Sequence, residues 1–196
     1  MSADPRNTLG RALDQAGLVI ARITPDQATN PTPCSSWDVS AVANHLINGV
    51  QRFRAAPAGE KADWGSQMPD VEGDWAAEFR TRADGLVAAW AAVPDIDASM
   101  STALGDLPMS FAVHQQIAEV AQHTWDLAAA TGQREGLDAE VAAEALAWAQ
   151  QALKPEFRGP EDSGKAFGEQ REVAGDAPAP ERLAAFFGRD TDFKAA

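Results

Sequence analysis

Apolar residues recur along this chain at helical spacing rather than in strict alternation. Between residues 7 and 23, for example, they fall every three or four positions, which places them on one face of an α-helix. Long runs rich in alanine add a high helix propensity to this periodicity. The pattern therefore predicts an all-α protein.

The same periodicity predicts six helices separated by segments rich in Gly, Pro, Asn and Asp. They are expected at residues 7–23, 36–55, 75–92, 109–132, 138–153 and 180–187. Ser35 and Asp38, at the start of the second helix, have the spacing of a capping box. Asp138 is a good N-cap for the fifth helix. Residues 95–108 are expected to be irregular, with a short strand or a turn.

Two long irregular segments complete the predicted organisation. Residues 57–74 form a loop that Trp64 and Trp75 are expected to pin down. Residues 154–196 form a tail draped over the helices and anchored by Phe157, Phe167 and Val173. Because 196 residues can bury a sizeable core without disulfides or structural metals, we expect one domain spanning residues 1–196.

Charge and cysteine content exclude several classes of partner. The net charge is -13, and no cluster of Lys and Arg is present, which argues against nucleic acid and anionic membranes as partners. The one cysteine excludes an internal disulfide and a cysteine-rich zinc module. The N-terminus lacks the features of a signal peptide, and no run of 18 apolar residues occurs, so a cytoplasmic protein is expected.

Glu119 and His123 stand one turn apart in a segment otherwise built largely from aliphatic residues. On a helix they lie within about 40° of each other, so they can hold one object between them. Both side chains are costly to bury unless something pairs with them. The alternative is a solvated Glu–His pair, which shows the same spacing. His114 lies roughly 140° from Glu119 and about 180° from His123, so it points elsewhere.

His45 is the remaining histidine, and it has small neighbours one turn away in Ala41 and Gly49. A glycine in mid-helix costs about 1 kcal/mol relative to alanine, so Gly49 either leaves space beside His45 or allows close helix packing. In a four-helix bundle whose second and fourth helices face each other, His45 can meet Glu119 and His123 in the interior. Two imidazoles and a carboxylate suit zinc or another divalent transition metal and leave a coordination position open.

Three stretches of the chain resemble parts of a known family. Residues 32–50, TPCSSWDVSAVANHLINGV, are similar to a Thr-Pro-Cys-x-x-Trp-x-Val signature followed by His-Leu, and residues 119–132, EVAQHTWDLAAATG, to a Glu-x-x-x-His-x-Trp-Asp-Leu-Ala signature. The ending APAPERLAAFFGRDTDF resembles the closing segment of an actinobacterial, short single-domain subgroup. Over essentially its whole length the chain resembles the mycothiol-dependent maleylpyruvate isomerase N-terminal-like proteins of the DinB superfamily.

The resemblance implies a DinB-like four-helix bundle with long loops and a C-terminal tail segment. It also implies a divalent metal, usually zinc, held by His45, Glu119 and His123, the same residues that the spacing favours. The implied cosubstrate is a low-molecular-weight thiol, mycothiol or bacillithiol, whose sulfur binds the metal. A metal lowers the pKa of a coordinated thiol and so provides thiolate at neutral pH.

One difference from the family bears on the reaction. The isomerase that names the family has a further C-terminal domain that contributes to its active site, and the sequence given contains no such segment. Transfer of the thiol to a small electrophile, by a monomer or a homodimer, is therefore expected rather than isomerisation of maleylpyruvate. Two alternatives remain open, a metal- or ligand-binding protein without catalysis and a metal-dependent hydrolase.

Several other residues have candidate roles. Asp126 follows His123 by three positions and is expected either to orient that ligand or to pair with another segment. Arg158, Lys165 and Arg171 in the tail are candidates for binding carboxylates of the thiol adduct or substrate, although a solvated surface role is the commoner one for such charges.

The cysteine and two tryptophans of the signatures have structural interpretations as well as functional ones. Cys34 is expected to be a buried structural residue rather than a nucleophile, because buried cysteine without a reactive role is common. Trp37 and Trp125 are expected to pack in the core, with lining of the cavity as the alternative.

Overall fold

The computed structural model describes residues 4–63, 65–102, 105–160, 165 and 167–194. Six α-helices lie in this part of the chain: α1 (Pro5–Ile20), α2 (Val39–Phe53), α3 (Trp75–Ala91), α4 (Met109–Ala130), α5 (Ala139–Ala152) and α6 (Ala179–Phe186). An antiparallel hairpin joins α3 to α4, with strands β1 (Ser99–Thr102) and β2 (Gly105–Pro108). No described helix is both long and apolar enough to cross a membrane.

The prediction of a mainly helical protein is confirmed, with the small hairpin as an addition to the all-α class. That hairpin lies where the sequence indicated a short strand or a turn. Helices α3, α4, α5 and α6 begin and end within two residues of their predicted bounds. Asp138 caps α5 as expected, because its side chain accepts hydrogen bonds from the backbone N–H groups of Glu140 and Val141.

The predicted bounds of the first two helices are wrong. Helix α1 begins two residues before the predicted residue 7, because Asp4 caps it and Pro5 occupies the first helical position. It ends at Ile20 rather than at residue 23. Helix α2 begins at Val39 rather than residue 36, because Asp38 alone accepts the capping hydrogen bond from Ala41 N, at 2.8 Å.

Helix α4 is the element against which most of the others pack. It contacts α1, α2, α5 and α6, while α3 packs against α1 and α2. Its buried apolar side chains join those of all the other helices in one core; they include Val113, Ile117, Val120, Ala121 and Leu127. The middle of α4 is therefore enclosed by protein on several sides.

The long loop before α3 is held by polar side chains of α2. Asn44 Oδ1 accepts a hydrogen bond from Val71 N at 2.5 Å, and Asn48 Nδ2 donates to Pro69 O at 3.2 Å. Trp75 Nε1 donates to Val71 O at 3.0 Å, as expected for a residue that pins the loop. Trp64, for which the same role is predicted, lies outside the described residues.

The tail packs on the helices, but not through all of the residues that the sequence predicts as anchors. Phe167 packs on the core and lies 5.6 Å from the ring of Phe187, centroid to centroid. The predicted anchor Phe157 is 37% exposed, and Val173 is only partly buried. Arg158 provides an unpredicted anchor, because its Nη1 donates to Phe186 O at 2.6 Å and its guanidinium stacks over the Phe186 ring.

Two leucines of α1 test whether this core determines stability. Leu13 is 2% exposed, whereas Leu18 on the same helix is 55% exposed. We expect Leu13→Ala to lower the free energy of unfolding by about 2–5 kcal/mol, because it removes buried methyl groups and leaves a cavity. The matched control Leu18→Ala should change it by no more than about 0.5 kcal/mol. Urea denaturation followed by circular dichroism measures both, and equal losses would contradict this packing.

Candidate metal centre

His45 of α2 and Glu119 and His123 of α4 meet where the two helices pack against each other, with His45 and Glu119 only partly buried. His45 Nε2 lies 2.8 Å from Glu119 Oε1, and His123 Nε2 lies 3.4 Å from the same oxygen. One ligand atom from each of the three residues falls within 4.8 Å of the others. Because α2 and α4 pack against each other, residues 74 positions apart in sequence become neighbours.

The donor set and its spacing fit a divalent metal. Ligand atoms bound to one Zn²⁺ at about 2.0–2.1 Å and at tetrahedral angles lie about 3.3–3.4 Å apart. The distance from His123 Nε2 to Glu119 Oε1, 3.4 Å, matches this value, whereas His45 Nε2, at 2.8 Å, would have to move away from the same oxygen to admit an ion. Among the described residues this is the group of His, Cys, Asp and Glu that could hold a metal.

The neighbours of Glu119 and His123 on α4 favour the charged forms of both side chains. Burial raises the pKa of the Glu119 carboxyl, but the imidazoles of His123 and His45 outweigh burial and hold that pKa well below its usual range. Burial lowers the pKa of His123, yet the carboxylates of Glu119 and Asp126 outweigh it and raise the pKa to about 9. A metal cation bound at Nε2 would take the place of a proton there.

Asp126 contacts both His123 and a residue of the tail. Its Oδ2 lies 3.1 Å from His123 Nδ1, and its carboxylate accepts two hydrogen bonds from Arg189, at 2.9 and 3.0 Å. Gln122 Nε2 donates a weaker bond at 3.3 Å. Asp126 thus contacts His123 and also pairs with another segment, while its role in orienting a metal ligand stays a prediction.

The turn after α6 directs Arg189 toward Asp126. Gly188 has a φ of 87°, and a Cβ there would stand 2.8 Å from Glu169 O, so this position requires glycine. Arg189 N donates to Ala184 O at 2.9 Å, which ties the backbone to α6.

A cavity of about 710 Å³ opens above the three candidate ligands. Part of its lining comes from α2, α4 and the loop before α2, and the rest comes from the tail. Residues of the tail that line it are Gly159, Pro160, Lys165, Phe167, Gly168, Glu169, Gln170, Arg171, Phe187, Gly188 and Arg189. The tail therefore forms part of the site rather than merely covering the helices.

The signature residues before α2 also face this cavity. Trp37 packs its ring 4.6 Å from that of His45 and 5.7 Å from that of His123, centroid to centroid, so it is a wall of the cavity. Trp125, in contrast, is a core residue that packs beside Ala129 and Ala184. Cys34 is only partly buried and lines the cavity, so its expected place in the interior is wrong.

The three predicted cations of the tail differ in position. Lys165 and Arg171 line the cavity, and each donates to a backbone carbonyl, Lys165 Nζ to Glu156 O at 2.9 Å and Arg171 Nε to Gly188 O at 2.8 Å. Arg158 points instead into the tail, where it holds the carbonyls of Phe186 and Gly168.

His114 lies apart from the candidate ligands, and Gly49 does not pack closely against another element. His114 Nδ1 is 2.7 Å from Ser110 O, and its Nε2 faces Glu144 at 3.5 Å, away from the group around Glu119. A Cβ on Gly49 would meet no atom within 4 Å, so close helix packing does not account for this glycine.

Arg189 is the site residue that sequence reasoning missed. The local pattern around it, Gly followed by Arg and Asp after a short helix, is common in turns and carries no sign of a partner 63 positions earlier. The one available signal is the resemblance of the segment APAPERLAAFFGRDTDF to a family's closing segment.

Comparisons with known proteins identify the family of this chain. Residues 9–128 match the family model described as the mycothiol maleylpyruvate isomerase N-terminal domain. Two uncharacterized proteins of Mycobacterium tuberculosis, from strains CDC 1551 / Oshkosh and ATCC 25618 / H37Rv, are each 34% identical over 200 residues, covering 95% of this chain and 98% of their own. No solved structure shows significant similarity. The chain therefore belongs to the mycothiol maleylpyruvate isomerase N-terminal domain family.

Proposed function

We propose that this protein is a metal-dependent enzyme that activates a low-molecular-weight thiol, such as mycothiol, for transfer to a small electrophilic molecule. The observation that carries the proposal is the placement of His45, Glu119 and His123 at a cavity large enough for a thiol conjugate. The family description, which names mycothiol, supports the choice of thiol.

We further propose that α1, α2, α3 and α4 form a DinB-type four-helix bundle within one domain of residues 1–196. Support comes from the cycle of contacts in which α1 meets α4, α4 meets α2, α2 meets α3 and α3 meets α1. Bundles of this kind build metal sites from side chains on facing helices.

In this proposal His45, Glu119 and His123 hold the ion, with zinc as the favoured metal because nitrogen and carboxylate ligands suit it. The bound ion would lower the pKa of a coordinating thiol and supply thiolate at neutral pH. Asp126 keeps His123 oriented through Nδ1, and the ring of Trp37 restricts the space beside both imidazoles.

Lys165 and Arg171 are proposed to bind carboxylates of the thiol adduct or of the electrophile. Both lie at the cavity, in a protein whose net charge is -13. An acidic surface repels anions in general, so two cations at one cavity give local selectivity for them. Arg158 stabilises the segment that carries both.

Metal binding tests the proposed ligands directly. We expect the wild-type protein to bind one Zn²⁺ or Co²⁺ per chain, and His45→Ala and Glu119→Gln to lose more than about 100-fold in affinity, which exceeds the loss when only a supporting residue is removed. Competition with a chromogenic chelator measures the affinities.

His114→Ala is the matched control for the metal experiment, because His114 lies on α4 but outside the group of candidate ligands. It should keep the wild-type affinity. Equal affinities for wild type and His45→Ala would contradict the proposed site.

Thiol activation has a spectroscopic test. We expect mycothiol, added to the Co²⁺-loaded protein, to produce a thiolate-to-cobalt charge-transfer band in the near ultraviolet, and the protein to accelerate transfer of the thiol to an aryl halide. The oxygen analogue of the thiol and the His45→Ala variant serve as controls, and neither should produce the band.

The same measurements separate the alternatives. A charge-transfer band without turnover would leave a thiol-binding protein that lacks catalysis. Ester hydrolysis that needs the metal but no thiol would favour a hydrolase.

The proposed anion site has its own test. We expect Lys165→Ala and Arg171→Ala each to raise KM severalfold for an electrophile that carries a carboxylate, with a smaller effect at high salt because screening weakens exposed charges. A neutral electrophile should show no change. Lys154→Ala is the matched control, since Lys154 is exposed in the same tail away from the cavity. An equal effect of all three variants would contradict the assignment.

A further inference from the structure

Arg189 is absent from the predicted ligands, yet its side chain ends directly behind them. Its Nε and Nη2 donate to the two oxygens of Asp126 at 2.9 and 3.0 Å. His123 Nδ1 lies 3.1 Å from the oxygen that Nη2 contacts. We infer that Arg189 is a positioning residue for the metal centre and acts through Asp126; this inference rests on the proposed function.

The two parallel hydrogen bonds determine how Asp126 meets the imidazole. A guanidinium bound to both carboxylate oxygens fixes the plane of the carboxylate, which a single ammonium group cannot do. Oδ2 is thereby held where it accepts the Nδ1–H of His123. This contact selects the tautomer of His123 whose lone pair is on Nε2, the atom that faces Glu119.

Stability alone does not explain this pair. Asp126 is 0% exposed and Arg189 is 16% exposed, measured on their side chains. Replacing a buried ion pair by apolar residues is often neutral or stabilising, so charges at this depth need a further reason. The contact of Asp126 with the imidazole of His123 supplies that reason.

The backbone before Arg189 is built to deliver the side chain to this place. Gly188 adopts a φ of 87° and lies against the backbone of Gly168, so the turn tolerates no other residue without rearrangement. Arg189 is therefore the side chain through which the C-terminal segment acts on the proposed metal ligands. Loss of that side chain should loosen the metal site even where the tail remains docked.

Arg134 provides a matched control for tail docking. Its Nη1 donates to Thr191 O at 2.8 Å and its Nη2 to Phe193 O at 3.0 Å, so it anchors the same C-terminal segment without touching Asp126. A variant of Arg134 disturbs the tail, whereas a variant of Arg189 disturbs both the tail and Asp126.

The experiment measures Zn²⁺ affinity and the visible spectrum of bound Co²⁺ in full-length Arg189→Ala, Arg189→Lys and Arg134→Ala. We expect Arg189→Ala to lose about 10- to 100-fold in affinity, in the range for residues that orient a metal ligand, and to alter the Co²⁺ bands at saturation. Arg189→Lys should recover part of the affinity. Arg134→Ala should keep the wild-type affinity and spectrum, whatever its stability.

Two results would overturn the inference. One is a folded Arg189→Ala that binds both ions like wild type, and the other is an equal loss of affinity in Arg134→Ala, which would assign the effect to tail docking. If Arg189→Ala does not fold, the double variant Asp126→Leu with Arg189→Met is measured in its place, because it leaves no unpaired buried charge. Wild-type affinity in that folded double variant refutes the inference, and a loss like that expected for Arg189→Ala supports it. Failure of the wild type itself to bind metal would refute the proposed function instead.

Discussion

The arrangement of this protein depends on finding partners for two carboxylates in the middle of α4. Glu119 faces two imidazoles, and Asp126 is completely enclosed. An ionised carboxylate is costly to bury unless it is paired and hydrogen-bonded, so each of these residues constrains a second element. Glu119 constrains α2 through His45, and Asp126 constrains the tail through Arg189. One helix thus links two distant parts of the chain by charge as well as by packing.

The tail has two physical roles that the helices alone cannot fill. Its residues form one wall of the cavity, and Arg189 neutralises the carboxylate behind His123. The Asp126 carboxyl keeps a pKa below its usual range, because Arg189 and His123 together outweigh the effect of burial, which raises it. The segment after α5 is therefore an integral part of the site, although it contains little regular structure.

The helical class and most helix ends could be predicted because they depend on local pattern. Gly132, with a φ of 73°, follows the end of α4, and Asp138 caps α5. The meeting of His45, Glu119 and His123 could also be predicted, since i, i+4 spacing pairs the last two and the family signatures add His45. Their role as metal ligands stays a prediction. Arg189 could not be predicted, because its partner lies 63 positions away and no periodicity reports such a contact. The start of α2 was predicted wrongly because the Ser35 and Asp38 spacing of a capping box indicates a start just after Ser35, whereas Asp38 is itself the N-cap and accepts the bond from Ala41 N.

The division of the cavity into two walls has a consequence for specificity. The candidate ligands sit on α2 and α4, which pack in a common core, so their relative position changes little between related chains that keep that core. The part of the lining that comes from the tail is mostly irregular backbone, and irregular segments accept substitutions and insertions more readily than packed helices. Under the proposed function, metal chemistry and substrate choice would then vary separately, because the tail supplies much of the lining that a substrate meets. Arg189 limits this freedom, because any change in the tail must keep the guanidinium on Asp126.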